Sequence, residues 1–448
     1  MDSRLIKKYN VPAPRYTSYP TVPYWQATPP TEENWATRMS LTFAKNPEIS
    51  LYIHLPFCES LCTYCGCNKR VTINHQVEPP YISALLKEWQ MYLDQLPFRP
   101  ILKEIHLGGG TPTFFSPRHI EHLMQSIFKG AEIAEDHAFS FEAHPWSTTE
   151  EHLKTFYDLG FNRVSVGVQD FDQEILAIIN RRQTTEQIQN VVDWSRAIGY
   201  QSINFDLIFG LPLQQPHHIQ ENMRQMKIMH PDRIAFYSYA HVPWVSPSQR
   251  GYSKEHLPLG DEKQKLYELG KQALTDLGYH EIGLDHFAQS TDSLYQATTE
   301  GTLHRNFMGY TTFHTDLMIG LGASSISDSG TAFVQNEKKI EAYQKRIAKG
   351  EIPIIKGHLL SSEDRTIRKY ITALMCQHQT RINANDQQFT KDILPRLYPL
   401  VEDGLITIGP KQIKVTPKGM PFIRNICMAF DQRLWAKKPT SQLFSQVV

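Results

Sequence analysis

The sequence predicts an α/β fold built on a partial (β/α)6 barrel, with an extended N-terminal arm and a small, mostly helical, winged-helix-like C-terminal domain. Three observations carry this prediction. Six β-like runs alternate with helical stretches between residues 50 and 240, polar and glycine residues gather at the ends of those runs, and the pattern changes after about residue 350.

The runs are Leu51 to Leu55, Glu104 to Leu107, Ala138 to Ala143, Arg163 to Val168, Ile203 to Ile208 and Arg233 to Tyr239. Amphipathic stretches around 80–95, 117–129, 149–159, 184–198 and 217–229 separate them, and alternation of this kind implies a parallel sheet. An open doubly wound sheet would alternate in the same way. The barrel is favoured by the residues at or just past the end of each run: Cys58, then Gly108-Gly109-Gly110-Thr111, Glu142, Gln169, Asp206 with Gly210, and Ala240 with His241. In parallel α/β folds ligands bind at the C-terminal ends of strands, so six segments point to one rim.

Residues 12–30, VPAPRYTSYPTVPYWQATPP, are rich in proline and aromatics and predict extended chain, as a surface linker or as an arm folded over a site. Beyond 350 a helix is expected over 363–378. Two short β-like runs come next, Leu405 to Ile408 and Gln412 to Val415, separated by a Gly-Pro-Lys turn. No dense Lys/Arg cluster accompanies this wing, so a structural or covering role is expected of it rather than DNA binding. The expected division is an arm at 1–40, a catalytic domain at 41–349 and an accessory domain at 350–448.

With 448 residues the chain can bury a large core, and 46 basic side chains balance 46 acidic ones, which leaves no net field to recruit nucleic acid or an anionic membrane. No stretch reaches the ~18 apolar residues of a membrane span, and the N-terminus lacks a signal-peptide core. A cytoplasmic monomer is the expectation.

Four of the six cysteines, Cys58, Cys62, Cys65 and Cys67, fall within ten residues. That concentration argues for a metal site rather than a disulfide framework. A structural zinc site would normally use two C-x2-C knuckles on separate turns, and no second knuckle is present. An iron–sulfur cluster presents a different iron to each thiolate and suits cysteines three and four residues apart. With three cysteines bound, one iron keeps an open position for a ligand. Cys376 and Cys427 stand alone and read as small buried hydrophobes.

Cys58-Glu59-Ser60-Leu61-Cys62-Thr63-Tyr64-Cys65 resembles the C-x3-C-x2-C signature of the radical S-adenosylmethionine (SAM) superfamily, and Gly108 to Pro112 resembles its glycine-rich strand end. The resemblance implies a TIM-like radical SAM barrel in which Cys58, Cys62 and Cys65 hold a [4Fe–4S] cluster and SAM occupies the fourth iron. Along nearly the whole chain the sequence is similar to one family, oxygen-independent coproporphyrinogen III oxidase. The matching segments are Pro14-Arg15-Tyr16-Thr17-Ser18-Tyr19-Pro20-Thr21, Tyr52 to Cys58, Cys65-Gly66-Cys67-Asn68-Lys69, Gly167 to Phe171, Asp206 to Pro212, His304-Arg305-Asn306-Phe307 and Arg424 to Met428.

That resemblance implies oxidative decarboxylation of two propionate side chains of coproporphyrinogen III to the vinyl groups of protoporphyrinogen IX, in haem biosynthesis. A propionate β-hydrogen is too weakly acidic for any side-chain base, and a 5′-deoxyadenosyl radical from SAM supplies what acid–base catalysis cannot. An electron donor and an acceptor are also implied, which the sequence does not name. By position Tyr52, Tyr64, Gly109, Gly110, Thr111, Glu142, Gln169, Arg181, Asp206 and Ala240 match family residues that contact SAM. The family also holds a second SAM at a phenylalanine–glutamine pair. Here Phe307 matches, but Met308 replaces the glutamine with a weak acceptor that cannot donate. After Glu142, Ala143-His144-Pro145 stands where the family often has Val-Asp-Pro. The alternative function is a haem-binding carrier or chaperone of the same superfamily. That branch lacks the fourth cysteine, the arm motif and the Arg-Asn-Ile-Cys segment, all present here.

Overall fold

The computed structural model describes residues 3–243, 247–382, 389–437 and 444. Six parallel strands form its centre: β1 (Glu48–Leu55), β2 (Ile101–Gly109), β3 (Glu132–Ala143), β4 (Phe161–Gln169), β5 (Ser202–Phe209) and β6 (Arg233–Ser238). Helices α1 (Glu78–Leu93), α2 (Pro117–Lys129), α3 (Glu150–Asp158), α4 (Thr185–Ile198) and α5 (Pro216–Met229) connect them, and α6 (Asp261–Asp276) comes after β6.

The sheet extends beyond this half-barrel on both sides. Past β6 lie the antiparallel strands β7 (His280–Gly283) and β8 (His286–Ala288). Past β1 lie β9 (Leu317–Leu321), parallel to it, then β10 (Ile326–Asp328), β11 (Ala332–Asn336) and β12 (Ile354–Leu359). The order β12-β11-β10-β9-β1-β2-β3-β4-β5-β6-β8-β7 leaves the barrel open between its first and sixth strands. The last strand of this sheet runs past residue 350.

Helix ends obey local chemistry. Ser116 accepts from His119 N–H at the start of α2, and Thr184 and Gln187 form a reciprocal capping box on α4. Gly199 closes α4 with φ of 112°, a conformation that costs glycine nothing.

Alternation along the strands separates two environments, because successive side chains of a strand point to opposite faces. On β1, Ile49, Leu51, Ile53 and Leu55 are fully buried, and the matching set on other strands includes Ile105 and Leu107, Phe139 and Phe141, Val164 and Val166, and Ile203 and Phe205. These pack with Leu85, Ile120, Leu123 and Phe156 of the surrounding helices in one apolar cluster. The intervening residues are polar and bond to one another across strands. Ser50 donates to Glu104, Arg163 to Ser140, and Asn204 to Ser165 and Asp206. The barrel interior is therefore a hydrogen-bonded polar lumen, open at the strand ends to ligand.

A second apolar core joins the two ends of the chain. Tyr9, Tyr16 and Tyr19 of the arm pack with helix Ser362–Gln377 and with Ile423 and Ile426. Arg424 donates to the carbonyls of Ala13 and Pro14, Asn425 to that of Tyr9 at 2.9 Å, and Tyr16 OH to Asp431 at 3.0 Å. The arm is thus a buried strap, which excludes the surface-linker reading. The wing forms as expected from Ile406–Ile408 and Gln412–Val415, joined by a third strand, Gln379–Arg381.

Candidate active site

A cavity of about 440 Å³ opens at the C-terminal ends of the barrel strands. Cys58, Cys62, Cys65 and Cys67 line one wall; Gly109, Gly110 and Thr111 after β2, Glu142 at the end of β3, Gln169, Asp206 and Ala240 complete the ring with Tyr64 and Arg181. The segments that the sequence placed at strand ends therefore meet around one space.

The cysteine loop leaves β1 through Pro56 and is held from four sides. Gly110 N–H donates to Leu55 O at 2.8 Å and Thr111 N–H to Phe57 O at 2.9 Å, which pins the loop entrance to the glycine run. Thr111 Oγ1 lies 3.4 Å from Cys58 Sγ. Thr63 N–H donates to Ile179 O, and Asn180 Nδ2 to Leu61 O. Ser248 Oγ donates to Thr63 O, while Gln249 Nε2 bridges the carbonyls of Tyr64 and Ala240 at 3.1 and 3.2 Å. Ser248 and Gln249 were missed in the sequence because neither stands in a motif.

Glycine is required at 109 and 110 for different reasons. Gly109 has φ of 120°, and a Cβ there would stand 2.6 Å from the His54 ring. A Cβ on Gly110 would stand 2.6 Å from both the carbonyl carbon of Pro56 and the carbonyl oxygen of Phe57.

Two carboxylates face the cavity. Glu142 accepts from Gly109 N–H at 3.1 Å and lies 3.7 Å from His106 Nε2. Burial works against its charged form, but these partners prevail and hold it below the usual carboxylate range. Asp206 lacks such help: burial, then the Glu142 charge, push it up to about 7 despite bonds from Asn204 and Ser165. Arg181 extends opposite them, donating to Tyr64 OH at 3.2 Å, Cys62 Sγ at 3.6 Å, Gln183 at 2.8 Å and Gly167 O. Gln183, braced on Val168 O, positions it.

Burial raises Cys58 to about 11, whereas a hydrogen bond with Cys67 keeps Cys65 below the ordinary thiol range. His144 receives Trp146 N–H on Nδ1, so its Nε2 carries the proton, buried and without a partner at the cavity wall.

Three expected residues stand apart. Tyr52 lies behind the wall, its hydroxyl 3.0 Å from His54 Nδ1. Phe307 packs against Trp25 and Phe333, and Met308 comes next on the hairpin His304–Thr311; neither lines the cavity.

Residues 52–226 match the Radical SAM superfamily. Curated relatives named oxygen-independent coproporphyrinogen III oxidase extend over the whole chain. The protein from Salmonella typhimurium is 38% identical, and those from Pseudomonas aeruginosa and Escherichia coli are 36% identical, each covering 100% of this chain and 98% of the relative. The chain belongs to the oxygen-independent coproporphyrinogen III oxidase family. A solved structure of coproporphyrinogen III oxidase from Escherichia coli, described as a radical SAM enzyme, superposes with a TM-score of 0.89 at 35% identity over 96% of this chain and 98% of the other.

Radical SAM enzymes of this family work with a [4Fe–4S] cluster and SAM, and the residues present fit both. Among the described residues no three His, Cys, Asp or Glu side chains converge on a single metal position. Cys58, Cys62 and Cys65 lie on one loop and line one cavity, as a cube taking one thiolate per iron requires. For SAM, the cavity offers two carboxylates, a guanidinium, the side-chain-free wall of Gly109 and Gly110 and the unpartnered His144 N–H, a donor and acceptor set complementary to an amino acid and a ribose.

Proposed function

We propose that the protein converts coproporphyrinogen III to protoporphyrinogen IX by oxygen-independent oxidative decarboxylation of two propionates. The observation that carries this reading is the full-length relationship to oxidases of that name, together with an intact cysteine loop facing a cavity ringed by strand-end residues. When bound, the reduced cluster and SAM supply a radical able to remove hydrogen from an unactivated carbon.

The chain's own residues hold and orient. Cys58, Cys62 and Cys65 bind the cluster, and Gly109 and Gly110, having no side chains, let the methionine part of SAM come close to the strand end. Glu142 and Asp206 suit an ammonium or ribose hydroxyls, and an arriving cation would offset the burial and the Glu142 charge that raise Asp206. Arg181 presents a planar fork to a carboxylate. Gln169, Ala240, Thr111 and Tyr64 complete the wall, and Tyr52 braces it through His54.

The barrel, whose sheet runs on past 349 to Leu359, does the chemistry, and the N-terminal arm and the helical unit after that strand cover it and exclude water. Among the described residues no helix is long and apolar enough to cross a membrane. A cytoplasmic monomer that draws electrons from a separate donor and passes them to a separate acceptor completes the reading, and light scattering on the reconstituted enzyme checks the oligomeric state. The carrier alternative gains no support from relatives named as oxidases.

Anaerobic incubation of the reconstituted enzyme with reductant, SAM and coproporphyrinogen III tests the function. Chromatography of the oxidised products is expected to show protoporphyrin IX. Unchanged coproporphyrin as the only tetrapyrrole would overturn the assignment.

A further inference from the structure

Beside the large cavity, across the end of β6, lies a second one of about 70 Å³. Ser238 lines both. The smaller space is several times the ~10–15 Å³ that holds one water, enough for a carboxyl group and the methylenes that carry it. Its walls come from the arm, α6, the β7–β8 turn and the C-terminal unit.

Among the described residues, its lining carries more cations than anions. Arg15, Lys263 and Arg424 line it, as do Asp285 and Glu281. Glu281 already accepts from Lys271 at 2.6 Å, and Asp285 from Arg15. Arg305 adds a further cation behind the wall, its guanidinium 4.5 Å from the centre of the Tyr310 ring. It is buried, and its Nε and Nη1 have no hydrogen-bond partner. Lys263 spends one ammonium N–H on Tyr239 O at 2.9 Å. Burial first, and then the Arg15 charge, push Lys263 down to about 8 and Arg424 down to about 9, with Asp285 acting against both shifts. An arriving anion would favour the charged form of Lys263.

We infer that this cavity receives a propionate carboxylate of the porphyrinogen that the reaction leaves intact, with Arg15 and Lys263 as its ligands. The inference rests on the function proposed above. Protoporphyrinogen IX keeps two propionates, so a carboxylate is available as an anchor through both decarboxylations. Seating one beyond Ser238 fixes an edge of the macrocycle and leaves other propionates to reach the large cavity. The burial of the arm gains a purpose: Arg424 grips the carbonyls of Ala13 and Pro14, which delivers Arg15 to the pocket.

The test is a fluorescence titration of reconstituted enzyme with coproporphyrin III and with its tetramethyl ester, for wild type, Lys263→Met, Lys263→Arg and Arg15→Gln. Equal iron content and thermal midpoints control for folding. Lys263→Met is expected to weaken coproporphyrin III binding by ~10- to 100-fold, as for loss of a charged hydrogen bond, and Arg15→Gln to act in the same direction. Lys263→Arg should restore most of the affinity, and the ester should bind wild type and Lys263→Met alike. Unchanged coproporphyrin III binding in Lys263→Met, or an equal loss for the ester, would overturn the inference. Wild-type turnover of coproporphyrinogen III is measured in parallel, so failure of the proposed function shows separately, as absent product.

Discussion

Replacing Gly110 by alanine tests how the glycine run positions the cysteine loop. The new Cβ would meet the Pro56 carbonyl carbon and the Phe57 carbonyl oxygen at 2.6 Å, where ordinary contact begins at 3.4 Å. Both are backbone atoms directly before Cys58, so no side chain can swing away. Relief requires the loop entrance to move by about 0.8 Å, which stretches the Gly110 N–H to Leu55 O and Thr111 N–H to Phe57 O bonds. Overpacking of this kind costs ~1–3 kcal/mol of stability. Displacing a reacting group by ~1 Å costs ~100-fold in rate. Iron content after anaerobic reconstitution, the thermal midpoint and turnover would be measured together. All three should fall in Gly110→Ala. Gly251→Ala, whose Cβ meets nothing within 4 Å, should leave them unchanged. Wild-type iron content and turnover in Gly110→Ala would refute the reasoning.

The same geometry sets other expectations. Cys58→Ala, Cys62→Ala and Cys65→Ala should each abolish the brown cluster absorbance while Cys67→Ala retains it; loss in all four would contradict a three-cysteine site. Asp206 has a folded pKa of about 7, above the ordinary ~4, so its contribution to stability is present at low pH and lost as pH rises through 7. Asp206→Asn should therefore raise the thermal midpoint of ligand-free protein more at pH 8 than at pH 5, while weakening SAM binding; the same difference at both pH values would count against it. Because Met308 is off the cavity and cannot donate, equilibrium dialysis should return one SAM per chain, and two would show that the second site operates.

Much of the barrel was legible because its strands obey hydrophobic periodicity. The six runs lie within β1 to β6 apart from Tyr239, just past the end of β6, and helix 117–129 was placed to the residue. The strand-end residues were legible too, since chain order in a βα repeat fixes which edge they reach. Strands β7 to β12 were not, because most are three to five residues long and their pairing is set by neighbours remote in sequence. The polar lumen had a usable signal: Ser50, Tyr52 and His54 alternate with Ile49, Leu51 and Ile53. Arg15 was marked as a candidate propionate ligand only by its place in a matched segment, because its partner Asp285 is 270 residues away. Phe307 and Met308 show the opposite limit. Their motif position implied ligand contact, while the fold packs Phe307 on Trp25 and Phe333.

The central claim, a radical SAM enzyme that decarboxylates a porphyrinogen, is tested most directly by counting products of one anaerobic reaction. Each propionate requires one hydrogen abstraction, so two molecules of 5′-deoxyadenosine and two of carbon dioxide are expected per protoporphyrinogen IX. 5′-Deoxyadenosine formed with coproporphyrinogen III present but without carbon dioxide would contradict it.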